Sequence, residues 1–318
     1  MYPLLLRPAL KDYLWGGTKL KTEYGYQTDA QKAAEAWVLS CHQDGQNTVL
    51  NGEYKGRTLS EVLSLWGAGA LGSKAAAFPY FPLLIKLIDA KDKLSVQVHP
   101  NDDYALAHEG EFGKTEMWYV VDCDEGARLI YGFDRAVSKE EFERRIRENT
   151  LSEICHFVPV HKGDVFFIAA GTLHAIGAGI LIAEVQQNSN TTYRVSDYGR
   201  LGADGKPRPL HVEKALCVTN REKPSHPYGQ VGKVTEHPFG RLRELTACSL
   251  FTAQLLSLNG CGDFCEPDSF FSLVVLEGKA DCTWCDGSLT LDKGDSLFVP
   301  AGLPVTLSGK AEILYSRV

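Results

Sequence analysis

Gly163-Asp-Val-Phe-Phe-Ile-Ala-Ala-Gly171-Thr-Leu-His174 is repeated near the end of the chain as Gly294-Asp-Ser-Leu-Phe-Val-Pro-Ala-Gly302-Leu-Pro-Val305. Each copy follows a lysine and combines a turn, a short apolar strand, a turn of small residues and the start of another strand. The first copy ends in His174 and the second in Val305. A repeated β-unit that keeps a metal-binding side chain in only one copy predicts two related domains, of which the first is active.

Composition and length set limits on the class of protein. The chain has 318 residues, of which 44% are hydrophobic and 23% charged, as in ordinary globular proteins, and it is long enough for two cores. The net charge of −7 disfavours a broad nucleic-acid surface, although a local basic pocket remains compatible with it. The first residues do not resemble a signal peptide, and the apolar stretches are too short to span a bilayer. We therefore expect a cytoplasmic protein without nucleic-acid or membrane partners, of open oligomeric state.

Strand patterns dominate, and helices are few. Capping residues and helical spacing predict helices over 58–67 and 138–147, the second with a capping box, and another helix is expected over 211–218. A polar, proline-containing stretch from residue 221 predicts a linker. After about residue 246 the residues alternate at the strand period, which is typical of a jelly roll. We therefore predict a catalytic domain over residues 1–235 and a C-terminal β-domain over 236–318.

Four of the nine cysteines, Cys261, Cys265, Cys282 and Cys285, have roughly the spacing of a zinc ribbon. The alternative is that they lie beside strands, with a hairpin turn at Asp286-Gly287. We favour this alternative, because short cysteine motifs arise easily.

A different set of side chains carries the predicted chemistry. Gln97 and His99 are two residues apart on a predicted strand, so they point to the same face. Lys114 and Glu116 share a face by the same argument, and His174 comes from the repeated unit. Two imidazoles, a carboxylate and an amide oxygen form a plausible site for a divalent cation, and ligands without thiolate suit a catalytic zinc.

The spacing from Gly163 through Gly171 to His174 resembles the second motif of the cupin barrel, with Ala169 where proline is commoner. The C-terminal copy has that proline, Pro300, but lacks the histidine. The first cupin motif usually contains His-x-His, whereas this chain has Gln97-x-His99. The resemblance implies a mainly β fold of two cupin-type barrels (jelly roll, or double-stranded β-helix) with a few helices, the first barrel metal-binding and the second metal-free.

The N-terminal two-thirds resembles the type I phosphomannose isomerases in their shorter bacterial form. The matching stretches are Leu94-Ser-Val-Gln-Val-His-Pro-Asn-Asp-Asp-Tyr104, Gly113-Lys-Thr-Glu-Met-Trp-Tyr119, Gly171-Thr-Leu-His-Ala-Ile176 and Tyr193-Arg-Val-Ser-Asp-Tyr198. The resemblance implies one Zn²⁺ per chain, held by Gln97, His99, Glu116 and His174. It also implies that Arg194 is the catalytic arginine.

The reaction implied is the interconversion of D-mannose 6-phosphate and D-fructose 6-phosphate through an enediolate, in which a proton moves between C2 and C1. Lys114 and Glu184 match polar active-site positions of the family and are candidates for proton transfer, although Lys114 could instead bind the phosphate. Arg194 can contact either the phosphate or the enediolate. We expect Asp197 to orient Arg194, and we expect Lys206 and Arg208 to belong to a solvated charged loop.

Two other functions remain open, because the cupin fold supports many chemistries. One is a metal-dependent cupin dioxygenase, which the Gln97-x-His99 pair and the lack of a third histidine disfavour. The other is a non-catalytic sugar-binding cupin, which the presence of Lys114, Glu116, His174 and Arg194 together disfavours. The sequence leaves open the metal used in the cell, the proton-transfer base, the phosphate-binding residues, activity on other sugars and the role of the C-terminal cupin.

Overall fold

The computed structural model describes residues 1–202 and 205–318. The described residues form twenty strands: β1 Leu4–Arg7, β2 Ala9–Lys11, β3 Glu35–Leu39, β4 Thr48–Val49, β5 Leu83–Ala90, β6 Val96–Val98, β7 Glu116–Cys123, β8 Arg128–Phe133, β9 Cys155–Pro159, β10 Val165–Ile168, β11 His174–Ala175, β12 Ile180–Gln187, β13 Tyr193–Ser196, β14 Val234–His237, β15 Gly240–Ala247, β16 Thr252–Phe264, β17 Phe271–Trp284, β18 Gly287–Asp292, β19 Ser296–Val299 and β20 Val305–Arg317. They also form five α-helices: α1 Lys19–Thr22, α2 Leu59–Trp66, α3 Asp102–His108, α4 Lys139–Arg147 and α5 Val212–Val218. The predicted mainly β, cupin-type fold is confirmed.

Two antiparallel sheets form the region that contains the candidate ligands. One has the strand order β10-β7-β12-β5-β3-β2, and the other has the order β13-β6-β11-β8-β9. Trp118 and Ile182 of the first sheet share a buried cluster with Leu129, Tyr131 and Val158 of the second. Side chains from strands of both sheets, among them Lys86, Gln97 and Glu184, line a cavity.

A third sheet contains strands from both ends of the chain. Its order is β14-β15-β16-β20-β17-β19-β1-β4, and β18 pairs with β17. Strand β1 pairs with β19 in antiparallel register, with Leu4 opposite Phe298. The N-terminal strand therefore completes a sheet made mostly by the C-terminal residues. The division into domains at residues 235 and 236 stays a prediction.

The repeated sequence forms the expected turn and strand in both copies. Strand β10 and strand β19 each follow a glycine with positive φ, 90° at Gly163 and 95° at Gly294. A second positive-φ glycine follows each strand, at Gly171 and Gly302. Glycine adopts these conformations without the steric cost that a side chain would add. The turn after Gly171 leads into β11, which begins at the buried His174.

The predicted helices form, with one difference in capping. Thr58 and Glu61 make both halves of a capping box at the start of α2. Ser138 accepts a hydrogen bond from the backbone N–H of Glu141 at the start of α4. The Glu141 carboxylate instead binds Arg135, at 2.7 Å, so the reciprocal half of the predicted box is missing. A nearby guanidinium is a stronger partner for that carboxylate than a backbone N–H.

The C-terminal cysteines do not converge. Cys282 is buried, whereas Cys261, Cys265 and Cys285 are exposed, and all four are free thiols. The predicted hairpin turn was wrong by one residue, because Trp284 pairs with Gly287 and the loop residues are Cys285 and Asp286. A β-carbon on Gly287 would lie 2.6 Å from the Trp284 ring, so the glycine is needed in the strand, beside that ring.

No helix in the described ranges is long and apolar enough to cross a membrane.

Candidate active site

Strand register gathers the predicted site residues. Gln97 on β6 lies directly opposite His174 on β11 and, on its other side, opposite Arg194 on β13. Residues directly opposite in neighbouring strands point to the same face of a sheet. The three side chains therefore share one face of the five-stranded sheet.

The facing six-stranded sheet contributes the acidic and basic groups. Glu184 on β12 lies opposite Lys86 on β5, and Glu116 on β7 lies opposite Gln186. Glu116 and Glu184 belong to neighbouring strands and project toward the same cavity region, between the two sheets.

Three of the four predicted metal ligands form a compact, buried group. The Nε2 atom of His99 lies 3.6 Å from Oε2 of Glu116, and the Nε2 atom of His174 lies 3.4 Å from Oε1 of the same carboxylate. The available ligand atoms of His99, Glu116 and His174 all lie within 4.8 Å of one another. The amide of Gln97 reaches the group as well, with its nitrogen 3.3 Å from Nε2 of His174. Rotation of the amide about its terminal bond would present the oxygen there instead.

Backbone carbonyls set the orientation of both imidazole rings. Nδ1 of His99 is 2.9 Å from the carbonyl oxygen of Thr191, and Nδ1 of His174 is 2.8 Å from that of Thr172. A carbonyl only accepts hydrogen bonds, so Nδ1 must carry the proton in each ring. Each Nε2 then has a free lone pair facing Glu116. Metal-binding histidines are commonly held in this way.

The electrostatics of this group also fit a divalent cation. Burial lowers the pKa of His174 to about 4 and the pKa of His99 below its usual value, so both rings are neutral, as metal ligands must be. Burial, with a contribution from Glu184, raises the pKa of Glu116 to about 7. Neither oxygen of Glu116 accepts a well-aligned hydrogen bond. A buried carboxylate without such partners is costly, and a bound cation would satisfy it.

Lys114 lies against the same ligands. Its Nζ is 3.1 Å from Oε2 of Glu116 and 3.2 Å from Nε2 of His99. Lys114 and Glu116 thus share a face, as the strand period predicts. The ammonium group partly neutralises Glu116, and a divalent cation would compete with it for that carboxylate.

Glu184 belongs to a second buried network that includes residues missed in the sequence. Its Oε2 accepts a hydrogen bond from the Trp118 indole at 2.8 Å, and its Oε1 lies 3.2 Å from Nζ of Lys86. Nζ of Lys86 lies 3.9 Å from Glu35. Burial alone raises the pKa of Glu184, but Lys86, Lys114 and Trp118 outweigh it and lower the pKa overall. Glu184 is therefore ionised at neutral pH.

We expect Lys86→Met to destabilise the fold strongly. The ammonium is 5% exposed and faces two carboxylates, so its removal leaves buried negative charge uncompensated, at a cost of about 3–5 kcal/mol. Urea unfolding followed by circular dichroism measures this change. The matched control is Lys279→Met, because Lys279 pairs with Asp292 on the surface, where the loss should stay below about 1 kcal/mol. Equal losses in the two variants would contradict the assigned role of Lys86.

Arg194 and Arg208 both line the cavity, which has a volume of about 310 Å³. The guanidinium of Arg194 donates a hydrogen bond to the Pro209 carbonyl at 3.1 Å, while its buried Nε has no hydrogen-bond partner among the described residues. The expectation that Arg208 is a solvated loop residue was wrong: its guanidinium is held by two hydrogen bonds to Asp197, at 2.7 and 2.6 Å. Asp197 also binds Arg200. The expected contact between Asp197 and Arg194 is not formed, since the two other arginines occupy this carboxylate.

The arrangement defines a cupin-type fold with a buried candidate metal centre that opens into a polar cavity. Two family models match the chain: the phosphomannose isomerase type I catalytic domain over residues 4–122, and the mannose-6-phosphate isomerase cupin domain over residues 243–318.

Relatives match over nearly the full chain. Mannose-6-phosphate isomerase ManA of Bacillus subtilis is 40% identical over 318 residues, 99% of each chain. Mannose-6-phosphate isomerase of Streptococcus mutans is 38% identical, over 94% of this chain and 92% of the relative. The crystal structure of the mannose 6-phosphate isomerase from Bacillus subtilis superposes with a TM-score of 0.91 at 35% identity, covering 100% of both chains. The chain belongs to the type I phosphomannose isomerase family.

Proposed function

We propose that this protein is a zinc-dependent aldose–ketose isomerase that interconverts D-mannose 6-phosphate and D-fructose 6-phosphate. The observation that carries the proposal is the buried group of His99, Glu116 and His174, which adjoins a cavity lined by Gln97, Lys114, Glu184 and Arg194. The relatives named as mannose-6-phosphate isomerases support the choice of substrate.

Gln97, His99, Glu116 and His174 would hold one Zn²⁺ per chain. This donor set of nitrogen and oxygen atoms, without thiolate, suits a catalytic zinc. When bound, the cation would polarise the oxygens on C1 and C2 of the open-chain sugar and stabilise negative charge on them. No electrons leave the substrate in this reaction, so a cation without redox chemistry is sufficient.

Proton transfer is the task that remains for the side chains of the protein. In the direction from aldose to ketose, a base takes the proton from C2 and returns it to C1, while a hydroxyl proton moves from O2 to O1. We assign the base to Glu184, because it is ionised, lines the cavity and is shielded from bulk water. Trp118 and Lys86 fix its orientation through their contacts with its two oxygens.

Lys114 and Arg194 supply positive charge around the reacting atoms. The enediolate carries more negative charge than the sugar, so fixed cations in a water-poor cavity stabilise the transition state more than the ground state. Arg194 has an unpartnered Nε with which to bind an oxygen of the substrate.

We assign binding of the substrate phosphate to the arginines at one side of the cavity. Arg200 and Arg208 both bind the carboxylate of Asp197, and Arg200 also lies 3.7 Å from the carboxylate of Asp92. Together with Arg194, three guanidinium groups face two carboxylates, so the group carries a net positive charge. A phosphate dianion would balance that excess charge, and guanidinium groups can bind it through paired hydrogen bonds. Arg194 therefore lies between the proposed metal site and the proposed phosphate site.

The test is an isomerase assay with mannose 6-phosphate, in which fructose 6-phosphate is converted to glucose 6-phosphate by a coupling enzyme and detected by reduction of a nicotinamide cofactor. We expect turnover without oxygen, its loss on exhaustive chelation and its return with Zn²⁺ alone. A dioxygenase would require oxygen, and a non-catalytic sugar-binding cupin would bind the sugar phosphate without converting it. Either result would contradict the proposal. The cytoplasmic location stays a prediction.

A further inference from the structure

The loop of residues 188–192 connects β12 to β13 and contributes to the candidate site in two ways. The carbonyl oxygen of Thr191 fixes the ring of His99, as described above. Asn190 and Thr192 line the cavity. The position of this short polar loop therefore affects both the candidate metal ligand and the wall of the cavity that receives substrate.

Two carboxylates outside the metal-ligand group bind this loop: Asp44 accepts a hydrogen bond of 2.8 Å from the Asn190 side chain, and Glu111 contacts three loop residues. Oε2 of Glu111 accepts a hydrogen bond of 3.0 Å from the Thr191 hydroxyl and longer ones, both of 3.4 Å, from the Ser189 hydroxyl and the Asn190 backbone N–H. Glu111 lies in the connection between α3 and β7, and none of its atoms belongs to the metal-ligand group. Three consecutive loop residues thus converge on one oxygen atom.

A buried histidine holds the other oxygen of that carboxylate. Nε2 of His42 lies 3.3 Å from Oε1 of Glu111, and the backbone N–H of Asp44 donates to Nδ1 of His42. Because Nδ1 is used as an acceptor, Nε2 carries the proton of the neutral ring and donates to Glu111. His42 is 6% exposed and packs edge-on against Trp37. The carboxylate is therefore held between a rigid ring on one side and the loop on the other.

We propose that Glu111 is a positioning residue of the active site, which acts through Thr191 to orient the metal ligand His99 and through Asn190 to shape the substrate cavity. The chain of contacts runs from His42 to Glu111, from Glu111 to Thr191, and from the Thr191 carbonyl to Nδ1 of His99. This proposal rests on the proposed function, because it takes His99 to be a metal ligand. Removal of a group that hydrogen-bonds to a metal ligand and orients it typically lowers metal affinity by about 10- to 100-fold.

Glu111→Gln keeps the shape of the side chain but replaces one acceptor oxygen with a donor. His42 and the loop residues all donate hydrogen bonds to this carboxylate. The amide nitrogen of glutamine is also a donor, so the variant must lose either the hydrogen bond from His42 or those from the loop. We expect the affinity for Zn²⁺ to fall about tenfold, because Glu111 acts one contact further away than a direct partner of His99. We also expect kcat/KM at saturating Zn²⁺ to fall, with a rise in KM, since Asn190 and Thr192 would shift.

Thr191→Val tests the same interaction, between Glu111 and Thr191, by changing the loop residue instead of the carboxylate. It removes the hydroxyl that binds Glu111 and keeps the backbone carbonyl that binds His99, and we expect it to weaken Zn²⁺ binding in the same direction. Thr191→Ser retains the hydroxyl and should recover most of the lost affinity. Glu111→Gln combined with Thr191→Val should weaken binding by less than the product of the two separate factors, because both variants break one interaction.

The measurement is competition for Zn²⁺ between the metal-free full-length protein and a chromophoric chelator. The matched control is Glu266→Gln, because Glu266 is 25% exposed, against 31% for Glu111, and also binds a hydroxyl, that of Tyr315. It should retain wild-type affinity. Wild-type affinity in both Glu111→Gln and Thr191→Val, or an equal loss in Glu266→Gln, would overturn the proposal. A wild-type protein that binds Zn²⁺ but does not isomerise mannose 6-phosphate would instead refute the proposed function and leave the role of Glu111 testable by affinity alone.

Discussion

Glu116→Ala is expected to abolish metal binding and to lower isomerase activity by at least about three orders of magnitude. Glu116 is the only carboxylate in the candidate ligand group, and both histidines face its two oxygens. Its loss would leave two neutral imidazoles and an amide, without the anion that offsets the charge of the cation. Removal of a residue that hydrogen-bonds to a metal ligand already lowers metal affinity or activity by about 10- to 100-fold, so removal of the ligand itself should lower them further.

The measurements are the zinc content of the purified variant and its activity in the coupled assay. Glu184→Gln is the informative comparison, because Glu184 is a buried carboxylate of the same cavity but does not belong to the ligand group. It should retain zinc and lose activity. Circular dichroism distinguishes either result from misfolding. An unchanged zinc content in Glu116→Ala would exclude Glu116 as a ligand.

Local patterns predicted a mainly β chain with a repeated unit, and the resemblance of its motifs to the cupin barrel and to the type I phosphomannose isomerases supplied the fold class and the set of candidate ligands. Gln97 lies on β6 and His99 directly follows its last residue, close to the predicted strand, and the glycine spacing before His174 specifies the turn that leads to it. These features depend on a few neighbouring residues. The helices over 58–67 and 138–147 were predictable for the same reason, because their capping residues lie within one turn of their N-terminal ends.

Features that depend on pairing between distant strands were not predictable. Lys86 lies in an apolar run that is buried at every position of β5, so the sequence does not indicate which of its faces meets the cavity. Only the register against β12 places Lys86 opposite Glu184. A lysine within a mostly apolar strand was the available signal, since a buried ammonium needs a partner. The pairing of β1 with β19 joins opposite ends of the chain, and no pattern in the local sequence indicates it.

The role of Arg208 could not be predicted from the sequence, because it depends on the contact of Arg208 with Asp197 in the folded chain. A charged loop is exposed in most proteins, and the sequence around Lys206 and Arg208 has no motif that distinguishes it from one. In the structure Asp197 binds both Arg200 and Arg208, and Arg208, whose side chain is 27% exposed, lines the cavity. Arg208 lies eleven residues from Asp197, and the sequence does not indicate that the two side chains meet.

Arg194→Ala is expected to leave the zinc content unchanged and to lower kcat by about 10²- to 10³-fold, the usual effect of removing one donor that stabilises transition-state charge. Arg194 lies opposite Gln97 through backbone pairing, which the substitution preserves, and the guanidinium is outside the ligand group. Its buried Nε makes no hydrogen bond to the residues that the structure describes, so the substitution removes a group available to substrate and few structural contacts. Arg194→Lys should recover little activity, because an ammonium cannot make the paired, planar contact of a guanidinium.

Arg208→Ala separates this role from phosphate binding. The phosphate is remote from C1 and C2, so we expect a higher KM for mannose 6-phosphate with kcat changed much less than in Arg194→Ala. Exposed Arg135 pairs with Glu141 on the surface, and Arg135→Ala should leave both constants as in the wild type. Steady-state kinetics at saturating zinc measure all four variants. Near-normal kcat in Arg194→Ala would exclude Arg194 as the residue that stabilises the enediolate, and an equal fall in kcat for Arg208→Ala would mean that the two arginines act on the same charge.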